Sequence, residues 1–353
     1  MKVVVLSGGL SPERNVSLSS GSMVCRALRE RGHSVALVDL FFGMEGRDVS
    51  EPAQLFDAPI PDAFCKVSAQ APDLDAVKAA RQDRSASQFG PGVLEICAMA
   101  DVVFLALHGV CGEDGRVQAA LDLLGIPYTG SGYLSSALAL DKDMTKRLVL
   151  GHPDVVTPKW ETVDCTVEDL DTIAHRTELP VVVKPLDSGS SIGVYIANTR
   201  QELLDALKAS RQLGGRTVLE QFVKGREFSI AVLEGQALPA IEIIPKAGFY
   251  DYANKYQAGA TEEVCPADIP DEWQQRMATS AKAVFDTLGL AVYSRADYII
   301  TPDGTPYFLE INTLPGMTPT SLVPQEAAAV GIGYGELCER IIHASLDARK
   351  KGI

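Results

Sequence analysis

Apolar and polar positions along the chain change period several times, and each change marks an element. "KVVVLS" (residues 2–7), "SVALVDL" (34–40) and "ADVVFLAL" (100–107) are short continuous apolar runs, while "NVSLSSGSMVCRALRERG" (15–32) repeats at helical spacing and stops at Gly32. Continuous apolar strands alternating with helices predict a parallel sheet covered on both faces. From residue 43 to about 92 the pattern breaks into Pro, Gly, Asp and Ser, with helical spacing only over Asp75–Arg81 and again over Val93–Met99. That stretch reads as an excursion from the first unit, which spans residues 1–130.

A second unit, 131–216, begins with "SSALALDKDMTKRLVLG" (135–151), whose spacing predicts one helix. It continues with "LPVVVKPLDSGSSIGVYIA" (179–197), two strands around a Ser/Gly loop. The third unit, 217–353, opens on "TVLEQFV" and closes on the helix "YGELCERIIHASLDARKK" (334–351), with basic residues in its last turn. Inside it, "SRADYIITPDGTPYFLEIN" (294–312) is two apolar runs around Pro302-Asp303-Gly304-Thr305, a hairpin signal. An even-length turn centred on Asp303-Gly304 sets Asp297 opposite Glu310 and Arg295 opposite Asn312. Two carboxylates directly across a ladder repel. Either a neighbouring cation such as Arg295 neutralises them, or a hard cation lies between, because Asp, Glu and Asn oxygens are what Mg²⁺ takes. A metal with few protein ligands shares itself with phosphate, which points to a nucleotide.

Charge narrows the partners. Lys plus Arg number 32 against 46 Asp plus Glu, a formal net charge of −14, which argues against non-specific nucleic-acid binding. No segment approaches the ~18 apolar residues of a membrane span, and the N-terminal apolar run is too short for a signal sequence. Seven scattered cysteines without C-x-x-C and five isolated histidines suit a reduced interior with no disulfide framework and no zinc site.

Several loops carry candidate chemistry. Lys184 ends an apolar strand and needs an anionic partner. The Ser188, Gly189, Ser190, Ser191 and Gly193 loop that follows offers small donors and backbone N–H groups to phosphate oxygens, or is a plain turn. Glu220 and Glu227 sit on apolar strands, where they either accept from a purine amine and a ribose hydroxyl or are salt-bridged core acids. Gly8 and Gly9 let the backbone approach a small ligand beside Glu13. His108 lies in a polar loop at a strand end and reads as a hydrogen-bonded structural residue. "FYDYANKYQAGATEEVCP" (249–266), with Lys255 and Tyr256, reads as a lid or a surface loop. Ser321 is a predicted N-cap, with Pro324 in the first turn, and such a helix start attracts a carboxylate.

The stretches "GGLSPERNVSLSSG", "LHGVCGEDGRVQ", "YTGSGYLSSALALDKDMTK", "VVVKPLDSGSSIGV", "YDYANKY" and "FLEINTLPGMTPTSLVP", in this order, resemble the D-alanine–D-alanine ligases of the ATP-grasp superfamily nearly end to end. The resemblance implies an α/β, three-domain ATP-grasp fold with an N-terminal parallel-sheet domain, and ligation of two D-alanines through an acyl phosphate for peptidoglycan precursors. It implies ATP and two Mg²⁺ ions, with Mn²⁺ able to substitute, on Asp297, Glu310 and Asn312. Lys142 and Lys184 would bind phosphates, with Ser190 and Ser191 closing over them. Glu220, Gln221, Val223 and Glu227 would meet adenine and ribose, although many members have Lys at Gln221. Glu13 would hold the first ammonium, and Arg295 with the Gly316 N–H would stabilise the oxyanion. Ser321 and the Leu322 N–H would take the second carboxylate, with His108 and Lys255 also in contact with substrate. Tyr256 would link through Ser190 toward Glu13 and goes with a dipeptide product, where ester-forming members tend to carry His. A cytoplasmic homodimer is the family expectation. The alternatives are a different second substrate, such as D-serine or D-lactate, and an ATP-binding protein without catalysis. A dinucleotide oxidoreductase lacks its G-x-G-x-x-G.

Overall fold

The computed structural model describes residues 1–65, 72–186, 189, 191, 193–246 and 260–351, and its strands form three sheets. Strands β1 (Lys2–Ser7), β2 (Ser34–Asp39) and β3 (Val102–Leu105) are parallel in the order β2-β1-β3. Their apolar residues are fully enclosed, which is why these strands read as continuous runs without alternation. Helix α1 (Arg14–Glu30) packs on β1 and β2. The excursion holds two short 3-10 turns, Pro52–Leu55 and Asp62–Cys65, then α2 (Leu74–Ala80) and α3 (Val93–Ala98). Buried Arg81 ties it down, donating to the Ser87 carbonyl at 2.6 Å and stacking 4.6 Å from the Phe41 ring centroid.

After α4 (Arg116–Leu123), the single helix expected over 135–151 is two: α5 (Tyr133–Leu140) and α6 (Lys142–Val149). Asp141 between them takes an extended ψ of 103° and accepts the Met144 N–H at 2.9 Å, so a local cap outcompetes helix continuation. The break puts Lys142 at the first position of α6.

Strands β4 (Trp160–Asp164), β5 (Val181–Pro185), β6 (Tyr195–Ala197) and β7 (Arg216–Gln221) form an antiparallel sheet ordered β4-β7-β5-β6. Its helices are α7 (Leu170–Arg176) and α8 (Arg200–Gln212), the latter started by a Thr199–Glu202 capping box. The third sheet runs β11-β10-β8-β12-β13, from β8 (Arg226–Leu233), β10 (Ile241–Pro245), β11 (Thr261–Val264), β12 (Tyr293–Ile300) and β13 (Pro306–Asn312), with the short β9 (Gln236–Ala237) on β8. Helix α9 (Asp271–Thr287) turns Met277, Ala281, Val284 and Phe285 onto that sheet. The chain then forms α10 (Leu322–Ala329) and α11 (Tyr334–Lys350).

One assignment to units differs from the sequence reading. The helix α11, read as part of the third unit, packs on α1, and its Leu337, Cys338, Ile341 and Ile342 complete the core of the first sheet. Apolar periodicity shows that a helix buries one face, but not which layer receives it.

Candidate functional site

The site is built on one face of the third sheet, because directly opposed residues of an antiparallel ladder share a face. Arg295 pairs with Asn312 and Asp297 with Glu310 across β12 and β13, while Asp297 pairs with Ser229 and Ile299 with Glu227 across β12 and β8. Glu227, Ser229, Arg295, Asp297, Glu310 and Asn312 therefore stand side by side. The expected register holds at the carboxylates for a reason the sequence reading did not contain. The turn is odd, with Ile300 opposite Pro306, and the ladder shifts between Asp297 and Tyr298, which pairs with Phe308. Leu309 is the extra residue, and this bulge cancels the odd turn.

The two carboxylates have cations on them. Arg295 forks onto Asp297, Nε to Oδ1 at 2.9 Å and Nη2 to Oδ2 at 2.7 Å, and Ser229 Oγ donates to Oδ1 at 2.8 Å. Lys142 Nζ lies 3.2 Å from Glu310 Oε2. Asn312 donates its amide to Asp297 at 3.3 Å. Among the described residues there is no group of three or more His, Cys, Asp or Glu that could hold a metal; the expected set is two carboxylates and an amide, an all-oxygen donor set of the kind hard cations take.

A cavity of about 470 Å³ separates the second and third sheets, lined by Lys142, Lys184, Ser191, Glu220, Gln221, Val223, Glu227, Asp297 and Glu310 with the apolar Val182, Ile196, Phe222, Ile243 and Leu309. Glu220 does not point a vacant carboxylate at it, as expected for an adenine contact. Lys184 donates to its Oε1 at 2.5 Å and Lys146 Nζ lies 2.6 Å from its Oε2. Burial raises the Glu220 pKa, but Lys184 and Lys146 outweigh it and hold the carboxyl below its ordinary range. Lys184 is depressed by burial and raised more strongly by Glu220 and Glu310, whereas burial leaves Lys146 below its ordinary value. Gln221 spends its N–H on the Lys159 carbonyl at 2.8 Å.

A second cavity of about 420 Å³ is lined by Glu13, His108, Glu113, Glu263, Arg295, Glu310, Asn312, Gly316, Ser321 and Leu322. Glu310 walls both cavities. Glu13 stands at the start of α1, closely faced by two glycines: a Cβ would lie 2.5 Å from its Oε2 at Gly189 and 2.9 Å at Gly109. A side chain at either place would have to push the Glu13 carboxylate aside. Buried His108 has its Nδ1 2.8 Å from the Leu314 carbonyl, which can only accept, so Nδ1 carries the proton; burial pushes the imidazole pKa down and keeps the ring neutral. Ser321 precedes α10 as expected, yet its hydroxyl does not cap the helix and instead accepts the Thr318 N–H at 3.1 Å. Lys255, Tyr256 and Ser190 lie outside the described residues.

The sequence matches the family models for the D-ala D-ala ligase N-terminus over residues 2–131 and the D-ala D-ala ligase C-terminus over 152–343. The chain belongs to the D-alanine–D-alanine ligase family. It is 42% identical to the D-alanine–D-alanine ligase of Pediococcus pentosaceus, with 97% of each chain covered, and 40% identical to that of Lacticaseibacillus casei over 100% of this chain and 98% of that one. The crystal structure of the D-alanine–D-alanine ligase from Bacillus anthracis complexed with ATP covers 100% of both chains at 30% identity and a TM-score of 0.76. The architecture is the ATP-grasp fold of the D-alanine–D-alanine ligases.

Two residues at the site of this family member went unnoticed in the sequence. Lys146 follows Lys142 by one helical turn, a spacing that could have signalled a second lysine on the same face. Glu113, buried, accepts the N–H groups of Thr313 and Leu314 at 3.2 and 3.1 Å on one oxygen and of Gly109 at 3.0 Å on the other. Burial first, and then nearby Glu13, push its pKa up to about 7. It fastens the loop after β3 to the end of β13, a long-range contact that local spacing does not show.

Proposed function

We propose that the chain joins two D-alanines into D-alanyl-D-alanine with ATP, releasing ADP and phosphate, as a step in peptidoglycan precursor synthesis. The observation that carries this reading is the shared wall at Glu310, which sets a nucleotide-sized cavity end to end with a small polar one. In the first, apolar side chains flank the base, Val223 and Gln221 offer backbone groups, Glu227 accepts from the ribose, and Lys142, Lys184 and Ser191 face the phosphates. Clasped by its lysines, Glu220 positions them. Asp297, Glu310 and Asn312 would hold Mg²⁺, or Mn²⁺ in its place, which when bound supplies charge neutralisation for the phosphates.

In the second cavity Glu13 holds the ammonium of the first D-alanine. A carboxylate oxygen of that substrate attacks the γ-phosphorus, the bond to the bridging oxygen breaks, and ADP leaves with the electron pair. The amine nitrogen of the second D-alanine then attacks the acyl carbon and loses a proton, and phosphate departs. Arg295 and the Gly316 N–H stabilise the oxyanion between these events. Ser321 and the Leu322 N–H take the second carboxylate at the start of α10, and His108, neutral, contributes hydrogen bonds and no charge. By the same reading Lys255 contacts substrate, and Tyr256 acts through Ser190 toward Glu13 to keep water from the acyl phosphate. A cytoplasmic homodimer belongs to the same reading; no helix among the described residues is long and apolar enough to cross a membrane.

The test is ADP release from ATP with Mg²⁺ and D-alanine, L-alanine as control, and mass spectrometry of the product. D-alanine-dependent ADP with one dipeptide per turnover is the expected result. ADP without dipeptide would assign the second cavity to another nucleophile, and no turnover would overturn the reading.

A further inference from the structure

The third sheet has a gap in its hydrogen bonding. Strand β10 pairs with β8 at Glu227, Phe228 and Ser229, and β9 pairs with it at Val232 and Leu233, so Ala231 falls between the two. The Ala231 carbonyl accepts from the Leu238 N–H at 2.8 Å. Its N–H finds no strand. Glu326 of α10 fills the gap, accepting that N–H on Oε2 at 2.5 Å. The Glu326 side chain is completely buried, and its Oε1 has no hydrogen-bond partner among the described residues. An acid with one oxygen unpartnered in such a place is costly unless something requires it.

What it joins explains the cost. Ala231 is the direct ladder partner of Arg295, and Glu326 lies one turn beyond Leu322, where α10 opens onto the second cavity. The neighbouring Gln325 reaches the same sheet, donating to Glu263 Oε2 on β11 at 2.5 Å. We infer that Glu326 is a positioning residue for the second-substrate subsite, pinning the start of α10 to the strand position behind Arg295 so that the carboxylate-binding amides and the oxyanion donor keep one spacing. The inference rests on the proposed ligase reading. Glu326 touches no substrate; it acts through Leu322 and Arg295. Burial raises its pKa to about 8, so the pin is a neutral acid at moderate pH, and a glutamine can reproduce its acceptor.

The experiment compares E326Q, E326D and E326L with the unaltered enzyme, measuring the KM for ATP and for each D-alanine and the far-UV spectrum. E326D withdraws the acceptor by one methylene with little loss of volume, which keeps the test informative if E326L does not fold. Loss of the one hydrogen bond should raise the second D-alanine KM about tenfold in E326D, with the ATP and first D-alanine KM unchanged and E326Q close to the unaltered enzyme. An unchanged second KM in E326D, or an equal rise in all three constants, overturns the inference. No dipeptide from the unaltered enzyme would instead overturn the ligase reading itself.

Discussion

Lys142 Nζ and Glu310 Oε2 stand 3.2 Å apart at the wall shared by the two cavities. Glu310 thus faces both cavities at once, and Lys142 is delivered to it by the helix break at Asp141. Glu310→Gln should lower kcat by ~10²-fold or more, on the scale of removing one electrostatic contact to a developing charge, and should weaken the dependence on Mg²⁺. Steady-state kinetics across a Mg²⁺ series checks this; an unaltered Mg²⁺ dependence would remove Glu310 from the metal set.

Arg295 holds Asp297 with two parallel hydrogen bonds while lining the second cavity. Arg295→Ala should cost about 10²–10³ in kcat. Arg295→Lys should rescue little, since a lysine cannot fork onto a carboxylate. Recovery of most of the rate in the lysine variant would show that charge alone suffices.

The clasp on Glu220 makes a stability prediction. Glu220→Gln leaves Lys146 and Lys184 buried without their shared anion, and breaking one side of a buried charge cluster costs roughly 3–5 kcal/mol. Urea unfolding should show a lower midpoint with an unchanged m value, and saturating ATP should restore part of the loss if its phosphates replace the carboxylate. No recovery with ATP would argue that these lysines do not meet the phosphates.

Glu326 makes a pH prediction. Burial is the main cause of its raised pKa, Asp297 adds to it, and the Ala231 N–H and Arg295 oppose it; the value reaches about 8 against an ordinary 4.5. The folded state therefore holds a proton that the unfolded chain has released, and this group's contribution to stability falls as pH rises from about 4.5 through about 8. In E326Q that contribution is gone. Denaturant midpoints measured between about pH 5 and 8 should decline less steeply in the variant than in the unaltered protein.

Much of this arrangement is legible in the sequence because it is periodic or local. Val3–Leu6 reads as a buried strand since every residue is apolar, and Asp297 facing Glu310 follows from period-two alternation about a turn. The register was right through two compensating departures, an odd turn and a bulge at Leu309, neither of which alternation reveals. Asp141 shows the limit for helices: its capping preference was present in the sequence, but the apolar spacing around it favoured continuity. The partners of Glu220, Glu113 and Glu326 lie beyond any local rule. Each is an acid whose role depends on which distant lysine or unpaired N–H the fold brings to it.

The packing of α11 on α1 has a consequence for how the protein is made. Val3, Val5 and Leu28 share a core with Leu337, Ile341 and Ile342, and Glu339 pairs with Arg31 and His33. The first sheet therefore waits for a helix made after both other sheets before its interior can close. Its parallel strands stay incompletely covered through synthesis of the two later sheets, a period in which nascent chains are open to aggregation and to chaperones.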